Sequence, residues 1–171
     1  MSSFARSCSA GRVMRRRLAS VAVLAVLASL LIPASAGAII QLELGIAGAR
    51  LNNTKAQVKT ALGEPKRVRN GTNEFGNFTE FLYVGKIRVV FQSGNRVTAV
   101  ETRGLGDRTA RGVGVGSTLA QVQSRVEGVN CEPIPGGRLC QRGLAEPGNR
   151  ISAFFVRNGK VNRVVVGFVI D

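Results

Sequence analysis

The segment Thr54-Lys55-Ala56-Gln57-Val58 returns as Thr118-Leu119-Ala120-Gln121-Val122, sixty-four positions further along the chain. The same offset carries Phe91 onto Phe155, Arg96 onto Lys160, Val97 onto Val161 and Val100 onto Val164. Two separated matches at one spacing mark an internal duplication, and that fixes the architecture before any single element is assigned. The units run over about residues 39–103 and 104–171. Each opens with Thr-x-x-Gln, a capping box in which the Thr hydroxyl accepts from the third helical residue and Gln reaches back. Thr54 and Thr118 are the predicted caps. Val58, Ala61 and Leu62 then form one apolar stripe ended by Gly63 and Pro65, and Val122 and Val126 repeat it before Gly128. Helices of about nine residues are marginal alone, so each must pack its stripe on a sheet.

Strand signals follow in the same order in both units. Phe78 to Val84, Lys86 to Phe91 and Arg96 to Thr102 are separated by Gly85 and by Ser93-Gly94-Asn95, and Ile87, Val89 and Phe91 alternate onto one face. In the second unit, Ile151 to Arg157 and Lys160 to Ile170 flank Asn158-Gly159, the strongest short hairpin cue. Asn130 to Arg150, rich in Gly and Pro, reads as a disulfide-closed loop or small hairpin. The expected fold class is α+β: two tandem repeats, each a short capped helix packed on an antiparallel sheet.

Residues 1–36 stand outside these units. Arg6, Arg12, Arg15, Arg16 and Arg17 precede the apolar run Leu18 to Ile32, and Pro33-Ala34-Ser35-Ala36-Gly37-Ala38 offers small-x-small cleavage sites, the order of a secretory signal. The apolar run is shorter than the roughly 20 residues of a spanning helix, so cleavage near Ala36 or Ala38 is expected rather than a stable membrane anchor. Cys8 lies before the run, whereas a lipid-bearing cysteine would follow it. Met14 opens a compact signal of its own and is an alternative start. Without residues 1–36 the chain holds 19 basic against 10 acidic groups, and its length fits one compact unit. That surplus favours anionic surfaces: wall polymers, lipid headgroups or acidic proteins.

The chain has no histidine, which removes His-based triads, His acid–base catalysis and His-containing zinc sites. Cys131 and Cys140 form an even pair in an exported chain and are expected as a disulfide worth about 2.5 kcal/mol. A reactive thiol pair lacks the CxxC spacing, and two thiolates alone do not complete a tetrahedral metal site. Ser117 and Ser124 have no lysine nearby in sequence, and the carboxylates are scattered. No catalytic residue, metal or cofactor is expected.

The runs Gly48-Ala49-Arg50-Leu51-Asn52-Asn53-Thr54, Gln57-Val58, Leu62-Gly63-Glu64-Pro65, Phe81-Leu82-Tyr83, Val89-Val90-Phe91 and Arg96-Val97 resemble the pattern of the outer-membrane assembly lipoprotein family BamE (SmpA/OmlA). The tandem arrangement is similar to that of β-lactamase inhibitor protein, whose two helix-then-sheet repeats present a concave sheet to an enzyme. The resemblance implies an αβ-repeat adaptor that binds proteins rather than transforming substrates. The lipidation cysteine and the tryptophans of those relatives have no counterpart here.

Three features bear on binding. Gly112-x-Gly114-x-Gly116-Ser117-Thr118 lies before a helix, where backbone amides attract anions, but it fits neither phosphate-loop spacing and reads as a flexible connector ending in a cap. Phe81 and Tyr83 share one face of a predicted strand, and Arg88 projects away from Ile87 and Val89. Interfaces enrich such residues, but sequence does not fix the parity between strands, so a core role for Phe81 stands beside the patch. Phe75 and Phe78, in a Gly/Asn-rich stretch, are harder to bury. Lys55, Lys59, Lys66, Arg67 and Arg69 cluster around the first helix and its exit, as a solvated face or an anion-binding patch. The expected function is a non-catalytic protein-interaction module at the envelope or outside the cell. The alternatives are a basic structural protein adsorbing to anionic envelope polymers and a small Ser/Lys or carboxylate hydrolase. Nucleic acid is not an expected partner.

Overall fold

The computed structural model describes residues 39–170, so the signal, Cys8, Met14 and the cleavage positions lie outside the described residues. The architecture is α+β. Helix α1 (Lys55–Leu62) precedes four strands, β4 (Arg67–Asn73), β5 (Gly76–Leu82), β6 (Ile87–Gln92) and β7 (Ala99–Thr102). Helix α2 (Leu119–Arg125) precedes β9 (Val129–Ile134), β10 (Gly137–Arg142), β11 (Arg150–Arg157) and β12 (Lys160–Phe168). Each set of four is an antiparallel meander, and β7 pairs antiparallel with β12, giving one eight-stranded sheet in the order β4-β5-β6-β7-β12-β11-β10-β9. The last strands of the two halves therefore meet at its centre.

Both capping boxes form: Thr54 and Thr118 accept from the backbone of Gln57 and Gln121, whose side chains accept from the cap backbones in return. Backbone hydrogen bonds recur at the sequence offset. Val97 donates to Asn53 and Val161 to Ser117; Lys55 donates to Asn95 and Leu119 to Gly159. Helix α1 ends at Gly63 with φ 78°, a left-handed conformation that glycine adopts without a Cβ penalty. Helix α2 stops earlier than expected: Val126 is already extended, because its side chain turns into the core instead of continuing the helix to Gly128.

The core lies between the large sheet and the helices. Val58 and Val122 join Phe81, Val89, Phe91, Val100, Phe154, Val156, Val161 and Val164 in one buried cluster, and each such side chain contributes about 2 kcal/mol as its surface leaves water. A second sheet covers the same face. It is built from β1 (Ile39–Gln41), β2 (Gly45–Ile46), β3 (Ala49–Arg50) and β8 (Arg108–Thr109) in the order β3-β2-β1-β8, and Ile40, Ile46 and Ala49 are buried in it. Its strands are two or three residues long, too short for an alternation to show in sequence.

Two further expectations are corrected, and one of two alternatives is settled. Arg67 and Arg69 are not simply helix-exit residues but belong to β4, which pairs along its whole length with β5. With one apolar residue, β4 owes its state to its neighbour rather than to propensity, and its arginines keep the sheet edge from pairing further. Of the loop and the small hairpin expected for Asn130 to Arg150, the hairpin β9–β10 forms, with Cys131 directly opposite Cys140 and disulfide-bonded to it. The connector Gly112 to Thr118 is packed rather than flexible. Val113 is buried, Gly114 donates to Ser117 Oγ and Gly116 to the Val161 carbonyl, and a Cβ on Gly114 would fall 1.9 Å from the Asp107 carbonyl oxygen. Those amides are already engaged, so the segment is no phosphate cradle. Among the described residues, no helix is long and apolar enough to cross a membrane.

Candidate functional site: the helix-free face of the large sheet

Strand alternation sends successive side chains to opposite faces. The face carrying Phe81, Val89 and Phe91 is covered by α1, whose Lys55 and Lys59 ammoniums lie 5.4 and 5.8 Å from the Phe91 and Phe81 ring centroids. The opposite face carries a charged ladder that runs across the strands. Arg69 Nη1 lies 3.3 Å from Glu80 Oε2, and Arg88 Nη1 donates to Glu80 Oε1 at 2.9 Å. Arg88 Nη2 donates to Glu101 Oε2 at 2.5 Å, Arg103 Nε donates to Glu101 Oε1 at 2.8 Å, and Arg163 Nη1 lies 3.9 Å from Glu101 Oε2. The two carboxylates are 9% and 6% exposed, so the ladder is held in place by packing rather than fluctuating in solvent. Arg88 Nε is enclosed with no hydrogen-bond partner among the described residues.

Phe155 lies directly opposite Arg163, whose guanidinium stacks 3.6 Å from the ring centroid. Leu139 follows Phe155 on the next strand, and Val90 and Val165 stand half-buried between the charges. Burial pulls the Arg163 guanidinium below its ordinary pKa; Glu101 opposes this, while Arg103, Arg88 and Arg157 add to it. Arg88, Arg103, Arg157 and Arg163 face one carboxylate, Glu101, along this half of the face.

The candidate patch named from sequence is divided between the two faces. The register pairs Phe81 with Val89 and Leu82 with Arg88, so Arg88 belongs to the ladder whereas Phe81 is buried in the core, its ring 4.8 Å from that of Phe91. Tyr83 packs against that core. Phe75 is exposed at the β4–β5 turn. Phe78 is half-buried on the ladder face, and its ring closes so tightly over Gly71 across the pair that a Cβ there would meet it at 2.5 Å. Glu80, Glu101, Arg103, Arg157, Arg163 and Phe155 were not singled out. The signal lay in single charges interleaved with apolar residues, as in Val100-Glu101-Thr102, where a strand buries one parity and must turn the charge outward.

Tyr83 gives this region a spectroscopic handle. Burial, with the Glu64 carboxylate second, raises its pKa above the ordinary 10.0, and its hydroxyl has no hydrogen-bond partner among the described residues. A folded pKa above the unfolded one means that the native state holds the proton more tightly. The stabilisation is complete below the unfolded pKa and is lost as pH rises through the folded one. Tyr83 is the chain's one tyrosine and there is no tryptophan, so near-ultraviolet absorbance reports it alone. The native midpoint is expected above 10.0, returning to that value in urea and moving part of the way down in Glu64→Gln.

No protein-family model matches the chain, and no curated protein matches it. Among solved structures it is similar to YjgB of Bacillus subtilis, a DUF4309 family protein, at 20% identity over 78% of this chain and 89% of that one, with a TM-score of 0.47. An extracellular SCP-domain protein of Bacillus anthracis is similar at 7% identity over 69% of this chain and 44% of that one, with a TM-score of 0.49. A proposed beta-lactamase inhibitor protein of Streptococcus mutans is similar at 10% identity over 66% of this chain and 82% of that one, with a TM-score of 0.32. At these scores no role of any of them is carried over to this chain.

Proposed function

We propose that this chain is an exported, non-catalytic protein-interaction module that docks its partner on the helix-free face of the eight-stranded sheet. The observation that carries the reading is the ladder Arg69–Glu80–Arg88–Glu101–Arg163, its carboxylates packed and its charges interleaved with half-buried apolar side chains, on a face that no helix among the described residues covers. Preset charges and an aromatic anchor such as Phe155 limit the conformational entropy lost on association. Export rests on the basic-then-apolar amino end and on the Cys131–Cys140 disulfide. The duplicated units are taken as residues 39–103 and 104–171.

A catalytic reading has less support. Both buried carboxylates of the face are engaged by guanidiniums, and Ser117 Oγ and Ser152 Oγ accept from backbone amides rather than meeting a lysine. Adsorption to anionic polymers has a charge surplus in its favour, but a ladder of alternating sign does not complement a polymer of one sign. The exported form, recovered from the cells that make it and immobilised, tests the reading against envelope extract. Saturable capture of one polypeptide that persists at raised salt supports docking. Retention of polymer alone, released by salt, overturns it.

A further inference from the structure

We infer that Arg103, Arg157 and Arg163 form a carboxylate-binding subsite that receives an Asp or Glu side chain of the docked protein; this rests on the docking reading above. The three guanidiniums, with Asn162 and the Phe155 ring, line a cleft of about 120 Å³ on the ladder face. A cleft of that size has room for a carboxylate. Its positive charge is incompletely answered. Glu101 is shared among Arg88, Arg103 and Arg163, and Arg157 has no acidic group within 4.0 Å among the described residues. Burial is the main cause that lowers the Arg163 pKa; Glu101 raises it, and Arg103, Arg88 and Arg157 lower it further.

The geometry suits a carboxylate. The stack of Arg163 on Phe155 at 3.6 Å fixes the guanidinium plane and leaves its edge donors available, and a planar fork with a fixed orientation pairs with a carboxylate through two parallel hydrogen bonds. The surroundings point to a side chain rather than a polyanion. On one side of the cleft the ladder turns negative at Glu101, and on another Phe155 and Leu139 give an apolar border, so a run of like negative charges finds no continuing track.

Titrating sodium acetate into the ¹⁵N-labelled exported protein, with sodium chloride at matched ionic strength as control, reads the cleft through the arginine Nε–H signals. Saturable shifts confined to Arg103, Arg157 and Arg163 are expected, weakened about tenfold in Arg157→Gln, the equivalent of one charge-assisted hydrogen bond. Arg157 is exposed, so this variant leaves the core untouched. Shifts no larger than those from chloride, or unchanged in Arg157→Gln, overturn the subsite. Binding of the captured polypeptide is expected to weaken about tenfold in the same variant. Equal binding overturns the subsite while leaving docking in place. If the wild-type protein captures no salt-resistant polypeptide, the inference falls with the docking reading, and a saturable acetate response then locates the failure in docking rather than in the cleft.

Discussion

Replacing Glu101 by Gln is expected to lower the unfolding free energy by about 3 kcal/mol, read as a shift in urea midpoint at unchanged slope. The carboxylate is 6% exposed and faces three guanidiniums, those of Arg88, Arg103 and Arg163. Gln has nearly the same shape, so the loss measures charge rather than packing. What makes it large is the charge left behind: Arg88 and Arg163 are 35% and 29% exposed and have already lost much of their hydration. Removing one partner of such a group leaves the others uncompensated, at a cost of about 3–5 kcal/mol for fully buried pairs. Partial exposure of the arginines places this site at the lower end. Arg103→Gln, with its side chain 57% exposed, is expected to cost under about 1 kcal/mol, as exposed ion pairs do. Raised salt should restore part of the Glu101→Gln loss, because screening relieves repulsion among the remaining guanidiniums. A loss in Glu101→Gln no greater than that from breaking the exposed Lys59–Glu64 pair would show that the ladder is an ordinary surface ion network.

The two capped helices and the offset between them were legible because each cap is written in local chemistry. Thr54 and Gln57, and again Thr118 and Gln121, need only each other to make a capping box. The alternation of Ile87, Val89 and Phe91 likewise announced a strand with one buried face. Elements fixed by distant partners were not legible. Strand β4 has one valine among Arg, Asn, Gly and Thr and exists because β5 offers it seven residues of pairing. The sheet β3-β2-β1-β8 joins segments far apart in sequence, through a parallel pair of Ile39–Ile40 with Arg108–Thr109. The candidate site suffered most from undetermined register. Each strand's alternation was readable, but which face of β5 matches which face of β6 was not, and that alone moved Phe81 away from Arg88.

Register also separates two phenylalanines that stand sixty-four positions apart in the chain. At the offset of sixty-four, Phe91 corresponds to Phe155, yet Phe91 is fully buried whereas Phe155 is half-buried and stacked on Arg163. The reason is the hairpin β11–β12. Its turn is the two residues Asn158-Gly159, with φ of 50° and 73°, against Ser93-Gly94-Asn95 in the first hairpin, and the buried set of β11 is Ser152, Phe154 and Val156; the extra residue of the pairing, Asn162, lies in β12. At the offset of sixty-four this set is one residue out of phase with Ile87, Val89 and Phe91, and a one-residue slip exchanges the faces of a strand, which leaves the Phe155 ring on the ladder face. The two truncations should therefore diverge. Phe91→Ala is expected to cost about 4 kcal/mol, since it leaves a cavity beside Phe81 and removes an aromatic contact at 4.8 Å. Phe155→Ala is expected to cost about 1 kcal/mol, for partial burial and one cation–π stack, while weakening capture of the partner more than tenfold if this ring anchors docking. Equal stability losses, read from parallel urea titrations, would mean that both halves keep one register and that Phe155 is a core residue, leaving the ladder face without its aromatic anchor.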